Sequence, residues 1–400
     1  MTVISLTPGA GNSSIVGARK IDAMRGSHDG SLSQQWYKRP DDQRFLSMDD
    51  LLAHVIQVRE RSWSDTFDAR AITVEYDRDD IRSLTLRMPD GHKVNPTNWS
   101  FGQLCSLLKA PASFLRDLPA PIASVPLQYC LRNFREELLK GYMWRTGPDT
   151  DTGVELRAMT SPSYGRIYDA EVVESIMKII DDTWKVPGTI DWATGFYDPN
   201  TPITKTSTTL YASDRDVFIF LCRDQHPIEI GKLADGSPDL LFPGFMVRNS
   251  EVGAGSYVIE TMYLRGVCQN RNLWGVEGRA SIRWVHSKGA PQRFAEEAHP
   301  ALLTFTDAAT QPVIAKVEAA KGVKIGKERE DRVKFLKDMD FSKKVTDDIL
   351  ESFFNSEGRP METLWDVVQG VTAKARDIPH QDARFVMEQS AGRLMDKVAA

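Results

Sequence analysis

The sequence predicts an α+β fold in which a central, mostly antiparallel twisted sheet is flanked by helices and followed by a helical C-terminal region. Runs of alternating apolar and polar residues recur between positions 72 and 286, which is the period of half-buried strands. Apolar stripes at helical spacing separate some of these runs and dominate the chain after position 308. Strands and helices mixed in this order favour an α+β arrangement.

Length and composition indicate a globular protein with a large core. The chain has 400 residues, of which 41% are hydrophobic and 26% charged. Residues 1–44 are rich in Gly, Ser and Asp and lack periodicity. We therefore expect a flexible N-terminal arm at 1–44, an α+β core domain at 45–305 and a helical region at 306–400 that packs on the core.

The sequence favours a cytoplasmic protein without membrane contact. No apolar run reaches the length of about twenty residues that spans a bilayer, and the N-terminus lacks the pattern of a signal peptide. The cysteines are widely spaced and form no CxxC pair, so neither a zinc site nor a disulfide framework is indicated. They are Cys105, Cys130, Cys222 and Cys268.

The first elements after the arm are a capped helix and a hairpin. Ser47, followed by two acidic residues and an apolar stripe, is typical of a helix start. Alternation at 72–76 and 84–88 predicts two paired strands. Two short helices between 98 and 118 resemble a helix-turn-helix, but Arg116 is the only long polar side chain of the second. Core packing of both helices, with Phe114 facing inward, is the favoured interpretation.

The middle of the chain combines helices and strands. Residues 127–143 are predicted to form a helix with one basic face, and residues 154–158 a strand. Asp169 is expected to cap the next helix. Two strands then follow at 206–212 and 216–222, the second apolar throughout and therefore central. The acidic turn around Asp214 is interpreted as a solvated turn and not as a metal site.

The stretch 244–288 has the densest strand signal and an excess of basic residues. It predicts strands at 245–248, 257–268 and 280–286. In the second strand Tyr257, Tyr263 and Arg265 share one face, which we expect to be wet, and the apolar positions share the other. Gly253 and Gly255 predict a tight turn and not a phosphate cradle.

This stretch is the candidate nucleic-acid interface. Guanidinium groups meet phosphates and aromatic rings stack on bases of any identity, so arginine and aromatic side chains on a sheet suit single-stranded nucleic acid. The polar loop 269–272 is also typical of a contact segment. The candidate binding residues are Arg248, Tyr257, Tyr263, Arg265, Arg271, Trp274, Arg279, Arg283 and Lys288.

The sequence provides no catalytic constellation. It lacks the motifs of zinc peptidases, serine hydrolases, P-loop nucleotide hydrolases and kinases, and its seven histidines are scattered. We therefore predict a protein that is not an enzyme, with no catalytic residues, no cofactor and no metal site. The mixed charges at 323–339 are interpreted as a solvated helix face.

Several segments resemble a known family. They are NSEVGAGS, LRGVCQN, the turn Tyr164-Gly165-Arg166-Ile167 and the late run TLWDVVQGVTAKARDIPHQDARFVMEQSAGRLM. In these segments the chain is similar, over roughly residues 45–400, to prophage- and plasmid-borne proteins known as a phage/plasmid-like domain of unknown function. The chain has Gln269-Asn270-Arg271 where that family places Asn-Gly after its cysteine. The resemblance implies a mobile-element context without a defined activity.

Three functions remain open at this point. The first is sequence-independent binding or annealing of single-stranded DNA in recombination or replication, by a protein that forms homo-oligomers. The second is a non-enzymatic interaction protein that counters host defence or aids plasmid maintenance through a host or phage protein partner. The third is a helix-turn-helix repressor based on residues 100–118.

Overall fold

The fold is α+β with a helical C-terminal region, as predicted, but its strands divide between two large sheets. The computed structural model describes residues 41–136, 138–146, 153–187, 189–190, 197–198, 200–205, 207–223, 225–233, 236–265, 271–272, 281–306, 310–378 and 381–398. A short 3-10 helix (Asp41–Gln43) comes first, followed by strand β1 (Arg44–Phe45) and helix α1 (Met48–Glu60). Ser47 caps α1 as predicted, because its side chain accepts a hydrogen bond from Asp50 N at 3.1 Å.

The smaller sheet has six strands: β2 (Ser62–Asp68), β3 (Thr73–Tyr76), β4 (Leu84–Arg87), β5 (Lys93–Pro96), β6 (Leu138–Arg145) and β7 (Val154–Thr160). Their order across the sheet is β2-β6-β7-β5-β4-β3. Only the β5–β7 pair is parallel, and the predicted hairpin is β3–β4. The helices that pack with this sheet are α2 (Asn98–Leu107), α3 (Ala112–Arg116) and α4 (Ala120–Arg132).

The predicted helix at 127–143 is wrong in its second half. Helix α4 ends at Arg132, and Leu138–Arg145 forms strand β6 between β2 and β7. Leu139, Tyr142 and Met143 are buried there. Apolar residues at this spacing suit a helix locally, whereas pairing with strands on both sides selects the extended form.

The larger sheet has eight strands, all paired antiparallel. Strand β11 (Val217–Cys222) is central and buried at every position, as predicted. After helix α5 (Asp169–Met177) and a separate two-stranded sheet, β8 (Thr189–Ile190) with β9 (Tyr197–Asp198), come the remaining strands of the larger sheet. They are β10 (Leu210–Ala212), β11 (Val217–Cys222), β12 (Ile228–Lys232), β13 (Pro238–Asn249), β14 (Tyr257–Arg265), β15 (Arg271–Asn272) and β16 (Ser281–Trp284).

Helices cover one face of the larger sheet. Helices α1, α5 and α6 (Ala290–Thr306) share an apolar core with β10, β11, β13, β14 and β16. The C-terminal helices form a second core with the β12–β14 end of the same sheet. They are α7 (Thr310–Gly322), α8 (Arg329–Lys337), α9 (Lys343–Glu357), α10 (Leu364–Arg376) and α11 (Gln381–Val398).

Helix α10 is the centre of the C-terminal region. Thr363 caps it, and most of its side chains are buried against neighbouring helices. Among the described helices, none combines the length and the apolar character needed to span a bilayer.

Candidate functional site

The loop between β13 and β14, residues 250–256, connects the two sheets. Val252 O accepts hydrogen bonds from Trp99 Nε1 at 3.0 Å and from Gln103 Nε2 at 2.7 Å, both on α2. Tyr164 OH donates to Ser250 O at 3.1 Å. This loop includes most of the NSEVGAGS segment, and Gly253 has the positive φ of 86° that a tight turn needs. The segment is therefore a docking point between the sheets.

A buried ion pair lies at this docking point. Glu251 Oε1 accepts from Arg157 Nη1 of β7 and from Tyr142 OH of β6, the latter at 3.2 Å. Glu251 Oε2 accepts from Asp169 N at 3.1 Å, where α5 begins. Arg157 and Glu251 are each 3% exposed. One carboxylate thus joins both sheets and helix α5.

A second group of polar side chains surrounds this pair. Asn249 Nδ2 donates to Asp169 Oδ1 at 2.7 Å. Arg166 Nη1 donates to Glu251 O, and its guanidinium carbon lies 3.9 Å from the centre of the Tyr142 ring. Asp169 was expected to cap α5, but Tyr168 holds the N-cap position, and Asp169 is the first residue of the helix with its side chain buried. We call Tyr142, Arg157, Arg166, Asp169, Asn249 and Glu251 the inter-sheet cluster.

The two carboxyl groups of the inter-sheet cluster have opposite pKa shifts. Burial and the neighbouring Glu251 raise the pKa of Asp169 well above its ordinary value. Burial also acts to raise the pKa of Glu251, but Arg157, the Asp169 N–H and Arg166 outweigh it and hold that pKa below its ordinary value. The opposite shifts favour the negative charge on Glu251, next to Arg157.

His286 joins the end of β16 to the turn after β7. Its Nδ1 lies 3.1 Å from Gly165 O, and its ring stacks on Tyr164 at 5.2 Å. Burial lowers the pKa of His286 to about 4, so the ring is neutral at neutral pH and donates from Nδ1 to the carbonyl. A Cβ atom on Gly165 would lie 1.9 Å from Ser287 O, so the close approach requires glycine.

Three of the predicted binding residues are buried on the helix-covered face. Tyr257 stacks on Trp284 at 5.2 Å and is 0% exposed. Tyr263 is buried in the core shared with the C-terminal helices. Arg265 donates to both carboxylate oxygens of Asp239 at 2.8 Å and to Glu357 Oε1 at 2.6 Å. The prediction that this face is wet was wrong, because α6 and the C-terminal helices pack on it.

Other predicted binding residues are accessible. Arg283 and Lys288 are exposed, and Arg248 is half-buried. The strand register aligns Arg248 with Val258 and Val258 with Arg283, so both arginines lie on the face opposite α6. Arg283 Nε donates to Ser256 Oγ at 3.2 Å.

The remaining predicted binding residues are only partly described. Arg271, in β15, pairs through its backbone with Leu264 of β14. Trp274, Arg279 and the first two residues of the polar loop 269–272 lie outside the described residues, as do residues 1–40 of the N-terminal arm.

Residues 98–118 lack the geometry of a DNA-reading motif. Helix α3 has five residues, and Arg116 Nη2 donates to Asn98 O at 2.8 Å. The Arg116 guanidinium lies over the Phe101 ring at 5.2 Å, inside the fold. Phe114, expected to face inward, is 60% exposed. A recognition helix needs length and outward polar side chains, so these contacts favour a scaffold role.

Sequence reasoning missed most of the inter-sheet cluster. The signal was present in β7, where Glu155 and Arg157 interrupt an otherwise apolar strand whose seven residues are all buried. A charged side chain in such a strand needs a buried partner. Asp214 was also misread: it is 9% exposed and not a solvated turn residue.

The described part of the chain contains a cavity with polar lining but no cluster of metal ligands. No group of three or more His, Cys, Asp or Glu side chains there could hold a metal ion. A cavity of about 140 Å³ lies beside the inter-sheet cluster, between α1, the end of β6 and the turn after β10. Arg157 and Asp214 are both in its wall.

Comparison with known proteins identifies a family. The family model described as Domain of unknown function (DUF932) matches residues 178–393, more than half of the chain. This range includes β10–β16 and most of the C-terminal helices, while the smaller sheet precedes it. The match agrees with the resemblance to a family of unknown function. Comparisons with curated proteins and with solved structures give no significant match.

Proposed function

We propose, for a chain that belongs to the DUF932 family, that it binds single-stranded DNA without sequence preference, in recombination or replication of a mobile element. The contact surface in this proposal is the basic edge, which we define as Arg248, Arg283 and Lys288. It replaces the surface predicted from the sequence, in which Tyr257, Tyr263 and Arg265 took part.

The observation that carries the proposal is the separation of charges in the segment 244–288. The acidic residues Glu251 and Glu260 are each 3% exposed, whereas Arg283 and Lys288 face solvent. Glu251 is also neutralised locally by Arg157. The described surface of this segment is therefore more basic than its composition, and cations on the surface of a sheet suit a phosphate backbone.

Salt dependence tests the proposal. Three phosphate contacts to a single strand predict a slope of about −2 for log K against log salt, or about a 20-fold loss of affinity from 50 to 200 mM salt. We would measure fluorescence anisotropy of labelled single-stranded and duplex oligonucleotides over this range. Single-strand binding with this slope supports the proposal, and no binding at 50 mM salt refutes it.

A matched pair of variants tests the basic edge. Arg283→Ala with Lys288→Ala removes two contacts and should reduce the slope to about −0.7. The control, Lys343→Ala with Lys344→Ala, removes the same charge from an exposed helix start in the C-terminal region. If both double variants bind equally, the basic edge is not the contact surface. Light scattering with and without the oligonucleotide would show whether binding is accompanied by homo-oligomer formation.

A second candidate function is protein interaction, which the exposed face of α4 favours. Ile122, Val125 and Tyr129 follow one another at helical spacing and are 47%, 68% and 69% exposed. Phe114 on the preceding helix is also exposed. Apolar side chains grouped on a surface are typical of a protein contact. If the protein binds no nucleic acid, Val125→Glu should abolish capture of a host or phage protein that the unaltered chain retains.

A further inference from the structure

The cavity beside the inter-sheet cluster is built from both sheets and is lined by polar and aromatic side chains. Trp144 and Arg157 come from the smaller sheet, His54 and Val58 from α1, and Asp214 from the turn after β10. Its volume of about 140 Å³ is close to that of an apolar cavity of about 150 Å³ that holds one benzene ring. The space therefore suits a single six-membered ring.

Asp214 determines the polarity of the ligand. The side chain is more than nine-tenths buried, and its Oδ2 atom accepts no hydrogen bond from the described residues. The turn itself is held by other groups, since Ser213 Oγ bonds Asp216 Oδ1 at 2.8 Å and Arg215 N at 3.1 Å. A buried carboxylate oxygen without a donor is costly, so the wall favours a ligand that brings an N–H group.

Arg157 supplies the complementary donor. Its Nη1 is committed to Glu251, while Nη2 makes a long contact of 3.4 Å with Asp214 O. A ring carbonyl or ring nitrogen next to Nη2 would accept a better hydrogen bond than this one. The wall thus offers an acceptor and a donor side by side, and Trp144 and His54 contribute aromatic surface.

We propose that this cavity binds the ring of cytosine, the amino-substituted pyrimidine, with Asp214 accepting from its exocyclic amino group. Carboxylates characteristically accept from this amino group. Uracil carries one N–H between two carbonyl oxygens, so the second Asp214 oxygen would face an acceptor. Because purines have two fused rings, the volume disfavours them. In a strand held as proposed above, the backbone contacts would stay independent of sequence and this cavity would add a preference for cytosine at one position; that part of the inference rests on the proposed function.

Two kinds of probe separate a free ligand from a base in a strand. Calorimetry with cytidine and uridine tests binding to the cavity alone. Fluorescence anisotropy with dC12 and dU12, single strands of twelve deoxycytidines or twelve deoxyuridines, tests binding of a base within a strand. We expect cytidine to bind about tenfold more tightly than uridine, as one good hydrogen bond predicts, and dC12 to be preferred over dU12. Cytidine binding without binding of either oligonucleotide supports the cavity and refutes the proposed strand binding. Oligonucleotide binding without cytosine preference and without cytidine binding overturns this inference but leaves the proposed function intact.

Two cavity variants test the assignment. Asp214→Asn turns the acceptor into an amide that also donates, so the preference for cytidine over uridine should fall to about twofold or reverse. Val58→Phe fills the space from α1 and should abolish nucleoside binding. Asp49→Asn, on the exposed side of α1, is the matched control and should bind as the unaltered protein does. Thermal unfolding would verify that each variant is folded; a folded Val58→Phe variant that still binds cytidine refutes the site.

Discussion

Replacing Glu251 with Gln should destabilise the protein more than other Glu→Gln changes, because it removes the only formal negative charge bonded to Arg157 among the described contacts. Breaking a buried ion pair from one side costs about 3–5 kcal/mol, since the remaining charge stays buried without compensation. Arg157 is 3% exposed, so bulk solvent compensates little for the lost partner.

The surrounding groups place the expected loss at the lower end of that range. Glutamine keeps one acceptor for Arg157 Nη1 and Tyr142 OH, but its amide nitrogen then faces the Asp169 N–H, which loses its acceptor. The Glu251 charge contributes to the raised pKa of Asp169. Without it, Asp169 can ionise at a lower pH and partly compensate Arg157. We therefore expect a loss of about 3 kcal/mol at pH 7.

Urea unfolding followed by tryptophan fluorescence would measure this loss. The control is Glu75→Gln, which breaks the ion pair with Arg87 at the surface and should cost no more than about 1 kcal/mol. In a double-mutant cycle, Arg157→Met with Glu251→Met should be less destabilised than the sum of the single variants, because no charge remains unpaired. A loss below about 1 kcal/mol for Glu251→Gln would refute the structural role of the ion pair.

Three further predictions concern burial. The His286 pKa of about 4 lies below the unfolded value near 6.5. Protons therefore bind the unfolded state first, and the free energy of unfolding should fall by about 3 kcal/mol as pH drops from 6.5 to 4. Urea unfolding of His286→Gln should show a smaller fall over this pH range, and an equal fall in both proteins would contradict the prediction. Arg265→Ala should destabilise by about 3 kcal/mol or more because the buried carboxylate of Asp239 loses its cation. Arg283→Ala should change stability by less than about 0.5 kcal/mol; similar losses for both variants in thermal unfolding would place Arg265 at the surface. Gly165→Ala should cost about 1–3 kcal/mol through its clash with a backbone carbonyl, while Gly289→Ala, with open space around it, should be neutral in the same unfolding assay.

The elements were largely predictable because their signals are local. The Ser47 cap and the β3–β4 hairpin depend on residues that are neighbours in the sequence. Strand β6 was not predictable in this way, because its pairing with β2 and β7 outweighs the local helical pattern of its residues. The inter-sheet cluster was hidden for a related reason: Arg157 and Glu251 are 94 residues apart along the chain.

The candidate site likewise depends partly on local sequence pattern and partly on packing between distant segments. Alternation along β14 alone determined that Tyr257, Tyr263 and Arg265 share a face, since side chains of a strand point to opposite sides in turn. The tertiary structure decided which face the helices cover, and it placed these three residues beneath them. Periodicity specifies that two faces differ, but only packing between distant segments decides which of them is removed from water. For this reason Arg283 and Lys288 remain at the surface while Arg265, on a neighbouring strand, became part of a buried ion pair.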